Sequence, residues 1–112
     1  FPAVQQRAAD AWIDLQALRW TTWRAAWRLA EGLPAERELL VARFWAAEAG
    51  TRIADTAQHL HGGLGVDVEY PIHRYFLWSR VLALATGGAM PALADLGRAL
   101  AAAPPGPEAE PR

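Results

Sequence analysis

Cysteine, lysine and asparagine are all absent from this 112-residue chain. Without cysteine there is no disulfide framework, no thiolate metal site and no cysteine nucleophile. Without lysine, arginine supplies every fixed positive side chain, and alanine is abundant; that bias fits a GC-rich coding sequence better than any particular function. An excess of charge is missing too. The net charge of −1 excludes a broad basic field for nucleic acid or an anionic membrane surface. Arginine or aspartate interrupts each apolar stretch, and no signal-peptide pattern appears. A soluble, cytoplasmic protein without nucleic-acid or membrane partners is the expectation. Sustained period-two alternation is also lacking, so no sheet is predicted and the fold class is all-α.

What is present is helical pattern. From about Ala3 to Glu31 the chain has no glycine or proline, and Val4, Ala8, Trp12, Leu15, Arg19, Thr22, Ala26 and Leu29 recur at steps of three and four. Trp20, Trp23 and Trp27 form a second stripe, which predicts a first helix covered on two sides. Gly32 ends it as a C′ residue, and Pro34 opens the next helix, which runs to about Leu60. On that second helix Leu40, Phe44, Ala47, Thr51, Ala54 and Gln58 mark one face, with Leu39, Arg43, Ala46, Gly50 and Ile53 beside it. Two long helices joined by so few residues predict an antiparallel pair. Gly62, Gly63 and Gly65 break the pattern. Pro71 restarts it through Ile72, Tyr75, Phe76, Trp78, Ser79 and Leu82 to about Ala85. After Thr86-Gly87-Gly88, a final helix with the stripe Met90, Leu93, Leu96 and Leu100 runs to about Ala102. The expected architecture is an up-and-down bundle over residues 1–103, two long helices and two shorter ones. The proline-rich residues 104–112 read as a disordered tail.

Catalytic constellations are harder to find. His59 and His61 stand two apart and do not share a helix face, which argues against a histidine metal site. Gly62-Gly63-Leu64-Gly65 lacks both the lysine and the preceding strand of a nucleotide-binding loop, and by itself reads as a turn. The tryptophans read as packing surface for another subunit or domain rather than as a ligand platform. If that surface is uncovered, the isolated chain is expected to self-associate. Asp10, Asp14, Glu48, Asp55, Asp67, Glu69 and Asp95 show no paired-carboxylate spacing, and solvated faces or intrahelical pairs with arginine are expected of them.

One segment says more. Gln58-His59-Leu60-His61-Gly62-Gly63-Leu64-Gly65, followed by Tyr70-Pro71, resembles the signature near the C-terminus of the flavin-dependent acyl-CoA dehydrogenases, Q-x-x-G-G-x-G then Y-P and a basic residue. Phe1-Pro2-Ala3-Val4 is similar to the family's F-Q-A-x opening of a long helix, and the later elements follow in the family's order. The resemblance implies most of a C-terminal helical bundle. In the family it is preceded by an N-terminal helical domain, a β-domain and at least one more bundle helix. The full proteins are tetramers with FAD bound across a subunit interface. It further implies that Gly62 and Gly63 let backbone approach the FAD of a neighbouring subunit, with His59 beside them, and that Thr86, Gly87 and Gly88 line the site.

Departures from the family pattern are specific. The FAD-contacting glutamine falls at His59, with Gln58 adjacent, and the earlier glutamine is Pro2. Thr86 stands where many members carry the glutamate that removes the α-proton, and Met90 stands where glutamine is frequent. A threonine hydroxyl cannot act as that base near neutral pH. Either the base lies on the preceding bundle helix, or this is a degenerate subunit paired with a catalytic one. His73-Arg74-Tyr75-Phe76-Leu77 and Thr86-Gly87-Gly88 are similar to the heterotetrameric actinobacterial enzymes that shorten steroid side chains, which favours the second explanation. The expected function is part of an acyl-CoA dehydrogenase that desaturates an acyl-CoA thioester through FAD. The alternative is a non-catalytic helical assembly module that has lost flavin chemistry. The chain is expected to be a fragment of a homo- or hetero-oligomeric protein, and the isolated segment to bind no FAD and to be inactive.

Overall fold

Helical propensity and three glycine-containing breaks divide the chain into four α-helices, seen in a computed structural model that describes residues 1–103. They are α1 (Pro2–Ala30), α2 (Glu36–Leu60), α3 (Ile72–Ala85) and α4 (Ala89–Ala102), with a 3-10 turn at Gly62–Val66 and no strand among the described residues. Residues 104–112, read as a disordered tail, lie outside the described residues. Pro2 takes the start of α1, where its missing N–H leaves no bond unmade. At the other end Leu33 N donates to Arg28 O at 2.9 Å and Gly32 N to Leu29 O at 3.1 Å, the double bond of a Schellman stop. Pro34 falls just outside α2 rather than within its first turn, because Ala35 is the N-cap residue.

Ion pairs fix the register of the first two helices. Arg28 meets Glu38 at 3.4 Å near the hairpin, and Arg52 meets Asp14 at 2.7 Å further along, so the helices run antiparallel as expected. Asp55 pairs with Arg80 on α3, whose guanidinium also lies 4.7 Å over the Phe76 ring. α1, α3 and α4 each pack mainly on α2, which is therefore the central helix. Within this chain α1 is covered on one side, and the tryptophan side, expected to face another subunit or domain, is open. Ala25, Thr21, Leu18 and Arg28 face α2, whereas the stripe from Val4 to Leu29 is exposed apart from Leu15. Trp20 and Trp23 are 67% and 65% exposed. At about 100° per residue, Trp12, Trp20, Trp23 and Trp27 fall within an arc of about 80°, opposite the packed face.

Small residues fill the interior throughout. The buried apolar residues are Ala25, Ala35, Ala47, Ala49 and Ala92, and among the described residues no large side chain is fully buried. α4 packs through Ala92, Asp95, Leu96 and Ala99, leaving Met90, Leu93 and Leu100 of its predicted stripe exposed. α3 behaves alike: Ile72, Phe76, Ser79 and Ala83 turn inward, and Tyr75, Trp78 and Leu82 outward. The result is elongated, with a radius of gyration of 17.1 Å against about 13 Å for a compact chain of this length. The span Ile72–Ala102 is apolar enough by composition to cross a membrane. The Thr86–Gly88 turn divides it, however, into two 14-residue helices of about 21 Å, short of the roughly 30 Å hydrocarbon core.

Arg52 grips Asp14 with two hydrogen bonds, from Nε to Oδ2 at 2.8 Å and from Nη2 to Oδ1 at 2.7 Å. Those bonds lower the Asp14 pKa below its ordinary 3.8; partial burial opposes the shift, and the arginine's charge reinforces it. A carboxyl that binds its proton less well folded than unfolded adds stability above the ordinary range and loses it as pH falls through the lowered value. Solvent screening of the half-exposed arginine keeps the contribution at or below about 1 kcal/mol. Asp14→Asn is expected to cost up to that amount at pH 7, and the difference from wild type to vanish below the lowered pKa. Urea unfolding of both proteins across this range measures it.

Candidate functional site

The glycine turn is held from beneath by Gln58. Its Nε2 donates to Gly65 O at 2.8 Å, and a Cβ on the buried Gly65 would lie 2.2 Å from Gln58 O, so only glycine allows this approach. Beyond it, Glu69 N donates to Asp67 Oδ1 at 2.9 Å, and Tyr70 N to Asp67 O at 3.2 Å, steering the chain into Pro71. Two histidines take structural places. His61 Nδ1 lies 2.6 Å from Ala57 O, with its ring 5.7 Å from that of Tyr70, and His73 Nδ1 lies 3.0 Å from Tyr70 O. With Gln58 committed inward, His59 is exposed and borders an open depression of about 510 Å³ with Asp55, Gln58, Gly62 and Val66. Gly63 is also exposed, has an ordinary φ, and shows nothing within 4 Å of where its Cβ would be. Nothing in the described chain requires glycine at that position.

A second cluster forms where α3 ends. Thr86 caps the helix, and Gly87 and Gly88 adopt φ of 84° and 81°. Gly88 N donates to Ala83 O at 2.8 Å and Gly87 N to Leu84 O at 2.9 Å, a second Schellman stop. The Thr86 hydroxyl donates back into its own helix, 2.9 Å from Leu82 O and 3.0 Å from Ala83 O. From α2, Arg43 Nε donates to Thr86 O, while its Nη1 reaches Asp95 Oδ2 of α4 at 3.0 Å. Arg98 takes the other Asp95 oxygen.

The five residues singled out by sequence thus form two groups, His59, Gly62 and Gly63 at one end of α3 and Thr86 and Gly88 at the other. A helix of 14 residues keeps them about 20 Å apart, so they do not converge on one site within the chain. Among the described residues no group of three or more histidines, aspartates or glutamates gathers to hold a metal. Intrahelical pairs appear as expected at Arg52–Glu48 and Arg98–Asp95. The links between helices, Arg52–Asp14, Arg80–Asp55 and Arg43–Asp95, carry no signal in linear spacing. Gln58 and Gly65 were in view as motif letters, but their mutual contact was not.

The sequence matches the acyl-CoA dehydrogenase C-terminal domain over residues 1–101. The chain belongs to the acyl-CoA dehydrogenase family. It is 48% identical to acyl-CoA dehydrogenase FadE27 of Mycobacterium tuberculosis, over 93% of this chain and 30% of that protein. FadE28 of the same organism is 34% identical over 87% of this chain and 29% of its own length. Among solved structures, the ChsE4-ChsE5 complex from Mycobacterium tuberculosis superposes with a TM-score of 0.89 at 52% identity, covering 93% of this chain and 28% of that one. A variant of the Tcur3481-Tcur3483 steroid ACAD gives 0.86 at 44% identity, over 90% of this chain and 28% of that one. The chain therefore spans about 30% of the length of these relatives. The family's all-α C-terminal bundle is the fold found here.

Two glycines of the turn, one buried and one exposed, are expected to respond differently to a methyl group. Gly65→Ala drives Cβ onto Gln58 O and is expected to destabilise by about 1–3 kcal/mol. Gly63→Ala meets open space and is expected to leave stability unchanged or slightly raised. Thermal unfolding of both variants measures the contrast.

Proposed function

We propose that this domain is the C-terminal part of a subunit of an FAD-dependent acyl-CoA dehydrogenase, which desaturates an acyl-CoA thioester between its α and β carbons together with a second subunit. The observation that carries the reading is at Thr86. Its hydroxyl donates to two carbonyls of its own helix, and the neighbouring carboxylate of Asp95 is held by Arg43 and Arg98, so this turn presents no base for the α-proton. The carboxylate base belongs to another helix or another subunit, while bound flavin supplies the hydride acceptor. Similarity to two relatives described as complexes supports the two-subunit form. Likeness to one described as a steroid enzyme favours a bulky polycyclic acyl group over a linear one.

Toward FAD, the residues present fit. Gly63 is a glycine that the chain itself does not require, at an exposed turn beside His59 and an open depression. A methyl-free backbone there is what close approach of a cofactor from a neighbouring subunit demands. Gly62 and Gly63 would supply the close backbone, and His59 a polar side chain beside it. Thr86, Gly87 and Gly88 would form wall at the thioester side. Assembly uses the outward face of α1, where Trp12, Trp20, Trp23 and Trp27 await cover. The cytoplasm, where CoA thioesters and no disulfides are found together, is the compartment proposed.

Co-expression of the full-length chain with its partner is expected to give a yellow complex whose flavin absorbance is bleached by an acyl-CoA. A colourless complex that assembles normally would favour the assembly module without flavin chemistry. In the same preparation, Trp23→Ser with Trp27→Ser is expected to weaken assembly by about 2 kcal/mol or more without unfolding the chain. Light scattering after size exclusion reads the change in mass.

A further inference from the structure

The turn between α3 and α4 contains two consecutive glycines, a backbone with little intrinsic constraint. One side chain from a third helix holds it. Arg43, in the N-terminal third of the central helix, donates from Nε to Thr86 O and from Nη1 to Asp95 Oδ2 at 3.0 Å. The same guanidinium fills the space beneath the turn, since a Cβ on Gly87 would come 2.6 Å from Nη2. Asp95 is in turn aligned by Arg98 from the next turn of α4. Three observations therefore meet at one planar group: a carbonyl bond to the end of α3, an ion pair to α4, and close approach to Gly87, whose φ of 84° calls for glycine.

We infer that Arg43 is a positioning residue that sets the shape of the Thr86–Gly88 turn, and through it the wall presented to the acyl thioester. The inference rests on the functional reading above for the thioester, but the clamp itself is independent of it. A guanidinium addresses the carbonyl and the carboxylate at once through separate N–H groups of a rigid fork. A lysine ammonium at this place keeps the charge and loses the fork. When the fork is lost, the turn loses its placement against α2 and its Schellman bonds open more often. A wall displaced by about 1 Å weakens binding of a ligand that must fit it.

The test uses the full-length protein assembled with its flavin and partner, in the forms Arg43→Lys, Arg43→Met and Gly87→Ala. Asp14→Asn serves as the control, because it loosens α1 from α2 without touching the turn. Both arginine variants are expected to raise KM for the acyl-CoA about tenfold with kcat within about twofold, while the control leaves KM unchanged. Gly87→Ala, which forces the guanidinium aside, is expected to match them and to cost less in the Arg43→Met background than in wild type. If Arg43→Met does not assemble, Arg43→Lys carries the test, because Gly87→Ala also strains a backbone held at φ of 84°. Unchanged KM in the variants that assemble overturns the inference. A wild-type complex with no acyl-CoA-dependent flavin reduction overturns the functional reading instead. In that case amide exchange decides for the clamp, because the Gly87 and Gly88 N–H groups are both bonded within the stop. Arg43→Met is expected to speed their exchange about tenfold while the Gly62–Val66 turn is unaffected, and equal rates would sink the clamp as well.

Discussion

Close approach of helices through alanine is the constraint on which everything else in this structure depends. α2 is touched by three other helices, and the side chains buried in those packings are alanines: Ala47 and Ala49 on α2, Ala25 on α1 and Ala92 on α4. A side chain that buries little surface contributes little hydrophobic free energy, so the packing here defines geometry more than it supplies stability. The large apolar groups, which carry most of the driving force available to such a chain, stand on the outside. Fold and cohesion are thus divided between the inside and the outside of one domain. The polar bridges between helices gain importance accordingly, because they select register where apolar shape does not.

Much of the architecture was legible in the sequence, and for physical reasons. Gly32 and the Thr86-Gly87-Gly88 run stop helices because the residue after the cap must adopt a left-handed conformation, and both stops are where sequence puts them. Helix lengths, their antiparallel order and the absence of strands among the described residues followed from periodicity. The covered face of α2 followed too, since Leu40, Phe44, Ala47, Thr51, Ala54 and Gln58 are all buried or half-buried, but those of α1 and α4 did not. Searching for stripes of large apolar residues selected Trp12, Met90 and Leu100, all exposed, and passed over Ala25 and Ala92, both buried. A periodicity search weighted by side-chain size assumes that the largest residues point inward within the same chain. That assumption fails for a domain whose apolar faces are shared with other parts of an assembly.

The candidate site was legible to a similar degree. Gly62 and Gly63 sit at an exposed turn and Thr86 and Gly88 at a half-buried one, both at the ends of helices. Their separation by the length of α3 was implicit in the helix assignment. Adjacent letters also differ in kind. Gln58 points inward to Gly65 while His59 points outward, a distinction set by a rotation of about 100° and not by composition. Arg43 and Asp95, 52 positions apart, meet only because α3 and α4 both return to α2.

The tryptophan face gives the chain a built-in optical probe. Four of its six indoles line one side of α1, a fifth on α3 is also exposed, and only Trp45 on the central helix is largely shielded. Emission from the free domain therefore originates almost wholly from water-facing rings. Cover by any apolar surface shifts that emission toward shorter wavelength, while changes confined to the helix interior leave it nearly untouched. Association and unfolding, which are often entangled in the fluorescence of small helical proteins, are separable here by the colour of the light alone.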